Sequence, residues 1–405
     1  MEKNLFFIET IGLSDKFGIG SYSAYLLPEI VRTNTFSSVY KVRIGLSRKH
    51  LHHVQKKDGI TTITILFKKT HMLISEEIDF LINKQMAKLC LGLLIKKNGK
   101  GTAIVHINIA TQFELASALK KAGFLIVYTH HFSGFRPKEV NSQILSKPKT
   151  QINNLEAKIL RLTDHAIFLS YKTKLHYHSY YRIPFEKASV IANGVPIVAD
   201  KIKNRQKVSV KRSFGFSIRD IIYLFVGRIT EEKGIFETVI AFKALAAEKR
   251  NVHLLIAGYG NLPAAMNISF DKTARIHFLG YIPIDQLQKI YAIADVGVLV
   301  SYQEQSSFAV LEFMNNNIPV ILSKINAFNS FRNNIEVLKV DFKKNETRAT
   351  NVNLISLYKA MLRLYNEKKL RNELSGNAKR RIQVEQSAYT MTNKTLQVYG
   401  KLLSE

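Results

Sequence analysis

At 405 residues and 46.1 kDa the chain is long for one compact core, so two domains of roughly 200 residues are expected. Hydrophobic residues at 46%, charged at 22%, aromatics at 10% and a mean hydropathy of −0.04 exclude a disordered or collagen-like chain, and one cysteine, Cys90, excludes a disulfide framework or a cysteine zinc cluster. The formal charge of +28 favours anionic partners without choosing among nucleic acid, phosphorylated small molecules and an anionic membrane leaflet; 28 basic and 14 acidic residues lie up to Asp200 and 31 and 17 after it, so the excess is even, not a tail.

Short β-rich runs alternate with longer helical patterns, the signature of parallel sheets with crossover helices. The opening stretch from Leu5 to Leu13 is short and interrupted by Glu9, and reads as a strand, not a leader. No window holds the roughly 18 apolar residues of a membrane span. Strands are predicted at Asn4 to Glu9, Thr61 to Phe67, Ala103 to Asn108, Phe124 to Thr129, Ala166 to Ser170 and Ser189 to Ala192. Helices are predicted at Tyr22 to Arg32, Ser75 to Lys96 and Gln112 to Ala122, the last stopped by Gly123. The polar, lysine-rich stretch from Ala199 to Ser213 lacks an apolar period and reads as a linker. A second series follows, with strands at Ile221 to Val226, His253 to Ala257, Ile276 to Leu279, Val296 to Val300, Val320 to Leu322 and Val337 to Val340. Helices are expected at Gly234 to Glu248, Asp285 to Ala294, with Asp285 as its cap, and Phe308 to Asn315; the chain from Leu354 onward is helical. The expectation is an α/β protein of two doubly wound domains facing across a cleft.

The strongest local signal is Val226-Gly227-Arg228-Ile229-Thr230-Glu231-Glu232-Lys233-Gly234, at the carboxyl end of an apolar strand and the start of a helix. Ligands of open α/β sheets bind at that edge, and a helix N-terminus offers free N–H groups to a phosphate. Arg228 can clamp two phosphate oxygens and Lys233 adds a compact charge; the plain alternative is a turn with two solvated bases. The second signal places Glu304 after a strand and Glu312 some two turns along a helix that starts near Ser306 or Ser307. Two carboxylates about 10 Å apart at 1.5 Å per residue can bracket one ligand, or form an ordinary solvated pair.

Gly-Arg-x4-Lys-Gly, then Glu-x7-Glu, then Pro319-Val320-Ile321-Leu322-Ser323 resembles the retaining glycosyltransferases of family four, also called glycosyl transferases group 1. The resemblance implies the GT-B fold, with two Rossmann-like domains: residues 1–205 on the acceptor side, 206–385 binding a nucleotide sugar, and a helix over 386–405 returning to the first domain. Further stretches match in order. Gly18-Ile19-Gly20 is similar to the family's glycine loop near the donor phosphates, and His131 to its active-site histidine, with His130 the lesser candidate. Gly258 corresponds to the glycine that lets a base lie near backbone.

By that resemblance Arg228 and Lys233 hold the diphosphate as it leaves, Glu312 binds the ribose, Glu304 the transferred sugar, and His131 positions the donor near its C6 hydroxyl. Gly18, Gly20, Gly227, Gly258, Ser307 and Phe308 complete the donor set. The implied reaction is a front-side displacement with retention, from a UDP- or GDP-sugar, with no cofactor or metal, onto a glycan, lipid-linked or peptide acceptor. A cytoplasmic place is expected, with docking on an anionic inner leaflet as the variant; nucleic acid is not expected as a partner. Four departures bear on the sugar: Gln305-Ser306-Ser307 replaces the family's Gly-Phe-Gly, Asn316-Asn317 its Cys/Ala-Gly, Lys324-Ile325-Asn326-Ala327-Phe328 its Gly-Gly and Glu after the Ser323 strand, and Phe132 an aspartate. His52-His53 and His176-x-His178 lack a third metal ligand at recognisable spacing, and Cys90 reads as core. Two other readings stand beside the enzyme: a basic nucleic-acid-binding protein, carried by charge alone, and a sugar-nucleotide binder without activity.

Overall fold

The computed structural model describes residues 2–12, 18–47, 49–68, 84–99, 101–131, 151–198, 204–269, 275–344 and 349–404. They form two compact units: one runs to Gly194 and takes back the last helix, Ala388–Ser404; the other spans Val195–Ser387.

The first unit is built on eight strands: β1 (Lys3–Thr10), β2 (Ser38–Ser47), β3 (Leu51–Lys57), β4 (Ile60–Lys68), β5 (Thr102–Ile107), β6 (Leu125–His130), β7 (His165–Phe168) and β8 (Ala188–Val190), in the order β3-β4-β2-β1-β5-β6-β7-β8. Every pairing is parallel except β3 with β4. β1 is apolar and fully covered over Leu5–Ile8, as a strand with helices on both faces must be. β2 and β3 add to the strands predicted from sequence. β3 is exposed along its whole length, so no apolar face announces it; the signal lies in Asp58-Gly59, whose positive φ values of 50° and 76° make the tight turn into β4. Of the predicted helix at Ser75 to Lys96, the part from residue 84 is found, as Lys84–Asn98, and residues 75–83 lie outside the described residues.

The second unit carries β9 (Ile221–Val226), β10 (Val252–Ala257), β11 (Ile276–Gly280), β12 (Val296–Leu299), β13 (Val320–Ser323) and β14 (Leu338–Val340), ordered β11-β10-β9-β12-β13-β14 and parallel throughout. The chain winds outward from β9 to β11, then restarts at β12 and winds the other way. The switch of direction lies between β9 and β12, and in the first unit between β1 and β5; in such sheets ligands bind past the carboxyl ends of the strands at that switch.

The stretch read as a linker is corrected: Asn204–Ser213 is a helix, and 199–203 lie outside the described residues. Its inner face is held by charge. Lys207 and Lys211, one turn apart, each place Nζ 2.8 Å from an oxygen of Asp295, and Lys211 is 2% exposed. Burial alone would raise the Asp295 carboxyl, but the two ammonium groups overcome it and hold its pKa below the ordinary value. An apolar period therefore never appears, and the helix falls within the second unit, with the division between units ahead of it at Val195. The helix predicted from Asp285 runs Ile284–Ile293 with Pro283 at its cap, so Asp285 sits inside the first turn.

Candidate active site

In the second unit the site grows from the ends of β9 and β12. β9 ends at Val226, and Gly227 and Arg228 carry the chain over the sheet edge into a short 3-10 turn, Glu231–Lys233. Gly234 then takes φ 67°, and a Cβ there would sit 2.3 Å from the carbonyl oxygen of Val300, just past β12. That approach clamps the turn against the end of β12, where Ser301 to Glu304 follow. As a result Lys233 Nζ lies 2.5 Å from Glu304 Oε1, across 71 residues of sequence, and Ser301 Oγ donates to the same oxygen at 3.0 Å. Lys233 and Glu304 are 17% and 9% exposed at their side chains. Arg228 stands beside Glu232, 3.7 Å away.

The helix Phe308–Asn315 starts past Ser307, which occupies its N-cap position with extended backbone. Glu312 is 6% exposed, and Oε2 accepts from the Tyr291 hydroxyl at 2.5 Å. Gly258 has a structural reason to be glycine: a Cβ there would lie 1.8 Å from the Gly227 carbonyl oxygen. The loops after β9, β10 and β11 are pinned to one another by Gly227 N–H to Ala257 O at 3.0 Å and Gly258 N–H to Gly280 O at 2.8 Å.

In the first unit Gly18, at φ 72°, caps the helix Ile19–Arg32, and Gly20 lies in its first turn. Tyr22 of this helix packs edge-on against His131, with ring centroids 4.7 Å apart. His131 follows β6 and is 9% exposed; burial, reinforced by His106 and His130, holds its pKa well below that of a free histidine. Its Nε2 lies 2.8 Å from Oδ1 of Asn108, the residue after β5. Behind it, His106 Nε2 meets Thr129 Oγ1 at 2.6 Å. His130 is buried 3.5 Å from Glu156.

The structure thus joins Lys233 with Glu304 and sets Gly227, Arg228, Gly258, Ser307, Phe308 and Glu312 in the same unit, while Gly18, Gly20 and His131 belong to the other. Asn108, Tyr22, Ser301 and Tyr291 are partners the sequence did not single out. Tyr291 reads there as one of the apolar positions of its helix, and its hydroxyl on Glu312 is invisible to periodicity. His52 and His53 lie on the exposed edge strand β3, and His178 Nδ1 is engaged by the Ile183 carbonyl at 2.5 Å.

Two parallel, doubly wound α/β units in one chain define a protein of the GT-B fold. The sucrose-phosphate synthase of Thermosynechococcus elongatus shares it over 100% of both chains, at TM-score 0.75 and 18% identity. An Anabaena protein, HepE, solved with UDP and glucose, does so at TM-score 0.71 and 13% identity over 98% of this chain and 99% of its own. Residues 208–381 match the family described as Glycosyl transferases group 1, and residues 85–198 match Glycosyltransferase Family 4. The chain belongs to this group of glycosyltransferases. An uncharacterized glycosyltransferase of Methanocaldococcus jannaschii is 34% identical over 152 residues, 36% of this chain and 39% of that one. Across the curated relatives it matches, the chain spans between 35% and 60% of their length.

Proposed function

We propose that the chain transfers a sugar from a UDP- or GDP-sugar to a hydroxyl of a glycan, lipid-linked or peptide acceptor, with retention at the anomeric carbon and without a divalent metal. The observation that carries this reading is the meeting of Lys233 and Glu304 at 2.5 Å past the two strands that flank the switch of winding. In this reading a cation that can follow a leaving phosphate stands beside a carboxylate that can grip sugar hydroxyls. The bond from the anomeric carbon to the leaving phosphate breaks while the acceptor oxygen bonds on the same face, and the acceptor proton passes to the phosphate oxygen. Arg228 and Lys233 neutralise the diphosphate, Glu312 binds the ribose, and His131 holds the sugar at its C6 hydroxyl; the glycines and the helix start at Ser307 and Phe308 line the phosphate side. The UDP held by the Anabaena neighbour supports a nucleotide diphosphate donor.

The even spread of the +28 charge argues against a nucleic-acid stripe, and a binder without activity has no need of the Lys233–Glu304 contact. Docking on an anionic leaflet draws support from the helix Lys84–Asn98, where Leu89 and Ile95 are 58% and 44% exposed among Lys88, Lys96 and Lys97.

A thermal-shift screen with UDP, GDP, ADP and their sugars tests the reading, because a ligand bound by the native state must raise the melting temperature. One nucleotide sugar is expected to do so, and Lys233→Ala and Glu312→Ala to lower its turnover by about 10²- to 10³-fold in a folded protein. Full turnover by either variant removes its assigned role, and no shift with any nucleotide removes the reading.

A further inference from the structure

We propose that Asn108 is a positioning residue: its amide fixes His131 as the Nε2–H tautomer, so that the ring offers the donor sugar an acceptor, Nδ1, and selects a hydroxyl over a carboxylate at the position it holds. Asn108 follows β5 and His131 follows β6, neighbouring parallel strands in register at Ile107 and Tyr128, which brings the two side chains to one sheet edge. Asn108 is 2% exposed, and its Nδ2 donates to the Ile8 carbonyl at 3.2 Å. A carbonyl accepts and never donates, so the NH₂ end of the amide is committed to β1. Turning the amide over would set Oδ1 against the Ile8 oxygen. Oδ1 therefore faces His131 Nε2 at 2.8 Å, and two acceptors cannot pair, so Nε2 carries the hydrogen. A neutral imidazole has one N–H, and Nδ1 is left bare, with no protein donor on it among the described residues.

Tyr22 fixes the ring plane at 72° to its own. The titratable groups that face His131 among the described residues are Tyr22 on its helix, His106 on β5 and His130 on β6; burial and the two histidines disfavour the imidazolium, which alone could donate from both nitrogens. An uncharged acceptor pairs with a sugar hydroxyl and leaves a carboxylate unpaired, a mismatch that polar sites reject strongly.

This inference rests on the proposed transfer reaction, and its test separates the two. The full-length protein labelled with ¹⁵N-histidine is examined by two-bond ¹H–¹⁵N correlation near neutral pH, with the His131 signal assigned by its loss in His131→Gln. The native protein is expected to show the Nε2–H pattern and Asn108→Leu a mixture of tautomers. An Nδ1–H pattern in the native protein, or no change in Asn108→Leu, overturns the assignment whatever the chain transfers. The second arm compares UDP-glucose with UDP-glucuronate, or GDP-mannose with GDP-mannuronate, on the nucleotide that raises the melting temperature. A preference of about 100-fold or more in kcat/KM for the hexose is expected. In Asn108→Asp the new carboxylate favours the imidazolium and turns Nδ1 into a donor, so the preference narrows about tenfold and the acid limb of the pH profile moves up. A preference for the uronate, or one unchanged in Asn108→Asp, overturns the proposal. If neither sugar is used, the transfer reading falls and the tautomer arm still decides the role of Asn108.

Discussion

Tyr399, on the last helix, hydrogen-bonds Nδ1 of His106, 293 residues earlier in the sequence, and both side chains are fully buried. The final helix thereby completes the polar core of the first unit. Tyr399→Phe keeps the edge-on contact with Phe36, whose ring centroid is 5.7 Å away, and removes only the hydroxyl. A buried nitrogen left unpaired costs about 1–3 kcal/mol, and that loss is expected in urea unfolding with the m-value unchanged. A loss below about 0.5 kcal/mol would show that His106 finds another partner.

Acid sensitivity of the first unit follows from the same residue. Burial lowers the pKa of His106 to about 3 from 6.5, so between those values the unfolded chain binds a proton that the folded chain does not. Stability contributed by the neutral ring is therefore complete above about pH 6.5 and drains away as pH falls toward 3. Each unit of separation is worth about 1.4 kcal/mol, so the effect reaches several kcal/mol. His165, lowered to about 4 by burial and nearby lysines, adds the same sign. Urea unfolding between neutral pH and about pH 4 should show a shallower decline for His106→Gln than for the native chain, measured relative to each protein's own neutral value. Parallel declines would refute it.

Lys233 and Glu304 give a prediction that separates architecture from chemistry. Lys233→Met leaves the Glu304 carboxylate, 9% exposed, with Ser301 as its remaining donor among the described contacts. An uncompensated, mostly buried charge is destabilising, here by about 1–3 kcal/mol. Adding Glu304→Gln removes the charge, and the double variant is expected to recover at least half of the loss while turnover stays low. A double variant as unstable as the sum of the singles would mean that the two groups do not interact in solution.

What the sequence made legible was whatever repeats locally. Ile221–Val226 is a continuous apolar run bounded by Asp220 and Gly227, and Phe308–Asn315 carries its core positions on every turn, so both were readable to the residue. Asn204–Ser213 was not, because its inner face is held by two lysines on Asp295, 88 and 84 residues away. The candidate site divides in the same way. Arg228, Lys233, Glu304 and Glu312 stand out as charges at strand ends and a helix start. Asn108 is an ordinary strand-end residue until folding sets it against His131, 23 residues on. Gly258 was read for a ligand's approach, and folding adds a second reason for a glycine there, the Gly227 carbonyl oxygen 1.8 Å from where a Cβ would sit.

That crowding makes glycine substitutions a test of how tightly the donor loops are built. A Cβ on Gly376, inside the helix Lys368–Glu385, meets nothing within 4 Å, so Gly376→Ala trades only backbone entropy and should stabilise by about 0.5–1 kcal/mol. A Cβ on Gly258 lies 1.8 Å from the Gly227 oxygen at φ 152°, so Gly258→Ala must push the two loops apart. It then stretches the Gly227 N–H to Ala257 O and Gly258 N–H to Gly280 O bonds and shifts Arg228, one residue beyond Gly227. Overpacking against backbone that cannot rotate away is expected to cost about 3 kcal/mol or more. Thermal unfolding of the two variants should move in opposite directions, with donor turnover lost in Gly258→Ala alone. Equal melting temperatures would mean that the loops after β9 and β10 yield freely, and that Gly258 serves the ligand more than the fold.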